Sequence, residues 1–257
     1  MKYGFCFLSN MPIYRDLSVN CTVKSHFAFG EIFEILSAKN EFFEVKNSNW
    51  ENNGYVSKSQ VKIISKKEYN FLTQSEKFYT TDSISTIVFE NRNTLLSIGS
   101  LLYNFDGLVA NFGFEKINFF GNAISTNQKL NTTQIENLIK KILNAPMITG
   151  GNSIFGLDSI GLIQFFFKFL QINVTGTLDE IIEKNTEIGL VKNVKFGDII
   201  FFGNKKIEHF GIVLSNKNIL HIHGYARIDE YDYLGIKNKE NDSEYLFSKI
   251  YKIIRIP

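Results

Sequence analysis

The sequence has 257 residues, with 28 Lys plus Arg against 26 Asp plus Glu and a formal charge of +2 with His neutral. That length fits two compact domains or three small ones, and so even a charge balance argues against a nucleic-acid binder. At 44% hydrophobic, with 25 Phe, 11 Tyr and one Trp, the chain has enough apolar surface for sizeable cores and is not intrinsically disordered.

The opening stretch MKYGFCFLSNMPIYRD has few apolar residues before Ser9 and Asn10 and no small-residue cleavage site, so it reads as a strand and a cytoplasmic protein is expected. Cys6 and Cys21 are the only cysteines. They cannot form a disulfide framework for the rest of the chain, and they read as buried or incidental thiols. Up to about Ile64 the runs YGFCFLS, CTVKSHFAFG, EIFEILS, EFFEVKN, GYVS and VKII alternate with turns. This spacing predicts a small, strongly bent β-barrel over residues 1–65, one face of it covered by a partner domain. Phe42, Trp50 and Tyr55 are either barrel core or the aromatic lining of a peptide groove. Residues 66–128 continue with STIVFE, TLLSIGSLLYNF, GLVANFGF and KINFFGNAI, which predicts a second β-rich domain, either a divergent copy of the first or a β unit of its own.

At Leu130 the pattern changes to helices, opening a third domain over 129–257. Thr133 and Glu136 read as a capping box, and Ile135, Leu138, Ile139, Ile142 and Leu143 form one apolar stripe that ends before Pro146. A Gly150-Gly151 turn leads to SIGLIQFFFKFLQI, apolar nearly all round and therefore a buried helix starting at Asp158-Ser159. Gln164 and Lys168 interrupt it and it falls short of a bilayer's thickness, so no membrane span is expected. Thr177 and Glu180 cap a short helix, after which DIIFF, HFGIVL, ILHIHG and KIYKIIRIP predict an antiparallel sheet. The fold class is α+β.

Three of the four histidines, His209, His221 and His223, fall within fifteen residues on this sheet. A helix N-terminus carries roughly half a positive charge, which favours a thiolate in its first turn, and an imidazole within reach completes a nucleophile–base pair. No metal or other cofactor is expected, since no Cys or second carboxylate motif accompanies the histidines. A plain four-residue loop at 215–218 would pair His221 with Ile212 and turn it away from His209. The two meet only across a bulge or an odd loop.

The segments Pro146-Met147-Ile148-Thr149-Gly150-Gly151, Gly156-Leu157-Asp158-Ser159-Ile160-Gly161-Leu162, Gly197-Asp198-Ile199-Ile200-Phe201-Phe202, His209-Phe210-Gly211-Ile212, Ile219-Leu220-His221 and Ala226-Arg227-Ile228-Asp229 occur in this order. Taken together they resemble the signature of the NlpC family of cell-wall cysteine peptidases. The resemblance implies a papain-like domain of helices packed on an antiparallel sheet, preceded by one or two SH3-like barrels, with the cleft at their junction. It implies hydrolysis of the bond between γ-D-glutamate and a diamino acid in muropeptides with a free L-Ala amino terminus. Ser159 would hold the nucleophile position, His209 would be the base and His221 its orienting group. Asp158 would bind the substrate amine, besides capping its helix. Met147, Thr149 and Ile160 would be the remaining substrate-side positions.

At the nucleophile the family has Cys where this chain has Ser159, and Met147, Thr149 and Ile160 replace its Tyr, Trp and Ser. A serine hydroxyl is not ionised by a helix end and needs a base to take its proton. The expectation is a peptide-binding pseudoenzyme, with peptidoglycan-derived peptide as partner and neither nucleic acid nor membrane. The alternatives are a hydrolase that uses Ser159 and His209, and a non-catalytic scaffold for a protein that the sequence does not identify. An open polar cleft at Asp158 and His209 would favour ligand binding; a cleft plugged by Met147 or Ile160 would favour the scaffold.

Overall fold

The computed structural model describes residues 2–18, 21–47, 53–189, 193–238 and 241–257; Trp50 lies outside them. The first unit is one antiparallel seven-stranded sheet: Val23–Ala28, Asn10–Tyr14, Gly54–Ser57, Phe42–Lys46, Ile32–Lys39, Lys2–Cys6 and Val61–Ile64, in spatial order. Alternation sets its inner face. Phe33 and Ile35 in one strand, and Phe43 and Val45 in the next, are buried between less buried neighbours. They enclose a core with Met11, Ile13, Phe27 and Val56, in which the Phe27 and Phe33 rings stack with centroids 4.5 Å apart. Cys6 is sealed in this core, and burial pushes its thiol well above the ordinary range.

Residues 66–128 begin with a helix before the β-rich stretch. Lys66–Gln74 is a helix, α1, because Ser65 accepts from the Glu68 N–H while the Glu68 carboxylate accepts from the Ser65 N–H. Three small sheets follow: Ile84–Phe89 with Arg92–Ser97, Lys77–Thr80 between Leu101–Tyr103 and Ala123–Ser125, and Val109–Asn111 with Lys116–Asn118. Their core is continuous with the first unit's other face. Phe5 meets Phe29, Phe89, Phe112 and Phe114 at centroid distances of 5.3–5.8 Å, mostly edge to face. Buried Tyr103 donates its hydroxyl to the Gly30 carbonyl at 2.8 Å, tying the two β-rich units together.

In the C-terminal unit, α2 spans Thr132–Lys140, and its capping box is Asn131 with Gln134 rather than Thr133 with Glu136. Asn131 keeps extended backbone dihedrals and bonds the Gln134 N–H, which places Thr133 inside the first turn. The central helix α3, Ser159–Phe169, is capped by Asp158 and buries Leu162, Ile163, Phe165, Phe166, Phe167 and Phe169 around most of its circumference. The short α4, Leu178–Glu183, carries the Thr177–Glu180 capping box. Helix α3 packs on an antiparallel eight-stranded sheet ordered Thr186–Glu187, Ile250–Arg255, Ile199–Phe202, His209–Val213, Asn218–His223, Tyr225–Asp232, Gly235–Asn238 and Asn241–Ser248. The molecule is thus α+β, with small β units preceding the C-terminal one. Among the described residues no helix is long and apolar enough to cross a membrane.

Gly161 sets the first turn of α3 against the loop before it. A Cβ there would overlap the Gly151 carbonyl oxygen, which itself accepts the Asp158 N–H at 3.0 Å. Gly161→Ala is expected to cost about 1–3 kcal/mol by overpacking, read as a lower urea midpoint at unchanged m-value. An unchanged midpoint would mean that the loop shifts freely.

Candidate active site

Strand register brings the histidines together. Val213 pairs with Ile219, so five residues connect the strands, and Gly211 faces His221. The connection is odd, which places His209 and His221 on one face. His209 Nε2 and His221 Nδ1 lie 2.8 Å apart, and His221 Nε2 lies 2.8 Å from Asp229 Oδ2. Arg227 completes the chain, its Nη2 donating to Asp229 Oδ1 at 2.9 Å and its Nε standing 2.6 Å from Oδ2.

Charge fixes the tautomers along this chain. Burial alone would raise the Asp229 carboxyl, but hydrogen bonds from His221 and Arg227, and their charges, hold it down at about 2. Ionised Asp229 only accepts, so His221 donates from Nε2 and accepts at Nδ1, and His209 donates from Nε2. The base nitrogen of neutral His209 is therefore Nδ1, which makes no hydrogen bond among the described residues.

His209 is only 9% exposed. Burial, then the neighbouring His221 and His223, lower its pKa to about 3, and burial also lowers that of His221. Part of this cover is Phe247, whose ring lies parallel on His209 with centroids 3.8 Å apart while His223 meets its edge at 5.4 Å. Both lowered groups stay neutral in the folded state and take up protons near pH 6.5 in the unfolded one. Stability therefore falls as pH drops below about 6.5, by up to ~1.4 kcal/mol per pH unit for each histidine. Melting temperatures should decline from about pH 7.5 to 5, and His209→Gln should remove about one proton from that slope. A flat profile would contradict the burial argument.

Ser159 is the first residue of α3, half-buried, and its hydroxyl makes no hydrogen bond among the described residues. Both oxygens of Asp158 are engaged: Oδ1 accepts the Gly161 N–H and Oδ2 the Gly150 N–H, each at 2.7 Å. Burial raises the carboxyl, with the N–H groups of Gly161, Gly150 and Ile160 pulling partly back. Each oxygen still has a second lone pair for a ligand. The same loop docks on the first unit, for His26 Nδ1 donates to the Gly150 carbonyl at 2.8 Å and Asn152 Nδ2 to the His26 carbonyl at 2.6 Å. Gly150 has φ +73°, and a Cβ there would press on Val23.

A cavity of about 450 Å³ opens at this junction. Thr149, Asp158 and Ile160 line it from the C-terminal unit, and Arg15, Lys24 and Asn53 from the first unit. His209 and Ser159 are not among its lining residues, nor are Phe42 and Tyr55. Those two lie within the first unit: Phe42 packs edge-on to Tyr14, and Lys39 sits over the Tyr55 ring. Met147 is 58% exposed and does not fill the cavity.

Sequence reading missed several of these residues. Asp229 and Arg227 fall within a quoted motif without a role, although the Gly224 turn and the pairing of His221 with Arg227 put all three on one face. No local pattern signals Phe247, which arrives on the edge strand Asn241–Ser248, or His26, Arg15 and Lys24, which come from the first unit.

A helix N-terminus packed on a sheet that carries a histidine relay is the frame of papain-like peptidases. Residues 145–248 match the model of the NlpC/P60 family. The chain is similar over its whole length to an NlpC/P60 family protein from Bacillus cereus ATCC 10987, with TM-score 0.74 and 13% identity, covering 96% of this chain and 98% of that one. It also resembles an NlpC/P60 endopeptidase from Photobacterium damselae subsp. piscicida, with TM-score 0.64 and 12% identity, covering 98% and 65%. No curated protein matches the sequence significantly.

Proposed function

We propose that the protein binds a peptidoglycan-derived peptide with a free amino terminus in the cavity at Asp158, with hydrolysis at Ser159 weak or absent. The observation that carries this reading is the separation of recognition from chemistry. The cavity presents a carboxylate with the cations Arg15 and Lys24, while His209 lies outside it beneath Phe247. An ammonium meets Asp158, and the carboxylates of a γ-D-glutamyl peptide meet the two cations. Ile160 and Thr149 supply contact surface where the family signature has Ser and Trp.

Calorimetric titration with L-Ala-γ-D-Glu-diamino acid peptide tests it. N-acetylation of the peptide is expected to weaken binding at least about tenfold, and so is Asp158→Asn, which keeps an oxygen for the helix cap but removes the charge and the acceptor for the Gly150 N–H. Equal binding of the acetylated peptide would overturn the amine assignment. No binding at all would favour the scaffold reading.

A further inference from the structure

A second cavity, also about 450 Å³, lies where all three units meet. Glu31 lines it from the first unit, Tyr79 and Asn127 from the second, and Asn152, Gln164 and Lys168 from the C-terminal unit. It shares only Ser25 and Gln164 with the Asp158 cavity. Lys168 is nine residues beyond Ser159 along α3, about 13 Å at the helical rise. The histidine relay takes no part in it.

Two opposite charges line this space without a direct ion pair between them. Glu31 Oε2 accepts the Ala28 N–H at 2.8 Å, while Lys168 Nζ reaches the Gly99 carbonyl only at 3.4 Å and stands 5.2 Å from the centre of the Tyr79 ring. The two make no ion pair within 4 Å. Enclosed, unmatched polar groups are costly unless something satisfies them. A singly charged ligand would satisfy one lining charge and leave the other. A ligand with both charges satisfies both, its ammonium donating to the Glu31 carboxylate and its carboxylate accepting from Lys168. Burial raises the Glu31 carboxyl, with Lys168 partly offsetting the effect, and a bound ammonium would work in the same direction as Lys168.

We infer that the three-unit cavity is a binding site for a small zwitterion, a free α-amino acid, held between Glu31 and Lys168. Its volume is that of a small-molecule site and exceeds what one side chain needs.

The test is a melting-temperature screen of the full chain against the twenty common L-amino acids, followed by calorimetry on each hit. At least one amino acid is expected to raise the melting temperature at about 10 mM. Its methyl ester and its N-acetyl derivative should each bind at least about tenfold more weakly, and Lys168→Met should cause a similar loss. Asn127→Trp, placed at an exposed rim position where folding is least at risk, should abolish binding by filling the mouth. Asp158→Asn should leave it unchanged, which separates this site from the peptide cavity. The inference is overturned if no amino acid shifts the melting temperature, if the ester and acetyl forms bind as well as the parent, or if Asp158→Asn abolishes binding while Asn127→Trp does not.

Discussion

Asp229→Ala should lower the melting temperature by roughly 6–20 °C, the largest loss expected from any single substitution in the relay. Asp229 is 1% exposed, and it is the one carboxylate bonded to both His221 and Arg227. Removing one partner of a buried ionic pair leaves the other charge uncompensated, at a cost of about 3–5 kcal/mol, and each kcal/mol shifts the melting temperature of a chain this size by ~2–4 °C. Deletion also frees His221 to adopt the other tautomer, so that His209 Nδ1 loses its enforced role as acceptor. Asp229→Asn should sit between wild type and alanine, because an amide still accepts from His221 but cannot neutralise Arg227. Differential scanning calorimetry of the three proteins checks the order. If Asp229→Ala melts within 2 °C or so of wild type, the network is not a structural ion pair of the buried kind.

On the proposed reading, Ser159→Cys should cleave L-Ala-γ-D-Glu-diamino acid peptide at least about 100-fold faster than wild type. A hydroxyl at the first position of α3 is not ionised by the helix end, and a base whose pKa is about 3 accepts its proton poorly. A thiol responds to that helix end, and as its negative charge develops it favours the imidazolium that burial disfavours. Phe247 keeps His209 dry, so Ser159→Cys combined with Phe247→Ala should exceed Ser159→Cys alone, and adding His209→Ala should return either to background. Mass spectrometry of the digests separates the readings. Cleavage by wild type that vanishes in His209→Ala identifies a serine enzyme. Silence from every thiol variant identifies a site with no competent geometry.

The parts of the fold legible in the sequence are those whose signal is local. The all-apolar stretch from Ser159 reads as a buried helix because no face of it is polar, and Thr177 with Glu180 marks the start of α4 because both capping partners lie within one turn. The same signal was present at Ser65 and Glu68 but sat inside a stretch dominated by strand-like runs, so α1 was read as part of a β domain. At α2 two overlapping patterns competed, and Asn131 won because its backbone is extended where that of Thr133 is helical. Whether His209 and His221 share a face depends on the parity of one loop, which composition does not fix. The cover on His209 and about a third of the wall of the cavity at Asp158 come from chain segments tens to more than a hundred residues away. Only tertiary packing reveals those.

The docking of Gly150 and Asn152 on His26 has an evolutionary corollary. Because one wall of the Asp158 cavity belongs to the first unit, substitutions at Arg15 or Lys24 would, on the proposed reading, alter ligand preference without disturbing the sheet that carries the relay, and changes at Ser159 would alter chemistry without disturbing that wall. Selection can act on the two properties independently. A lineage that gives up its nucleophile keeps a shaped receptacle, and a duplicated gene of this build has a short mutational path from cutting a peptide to sensing it.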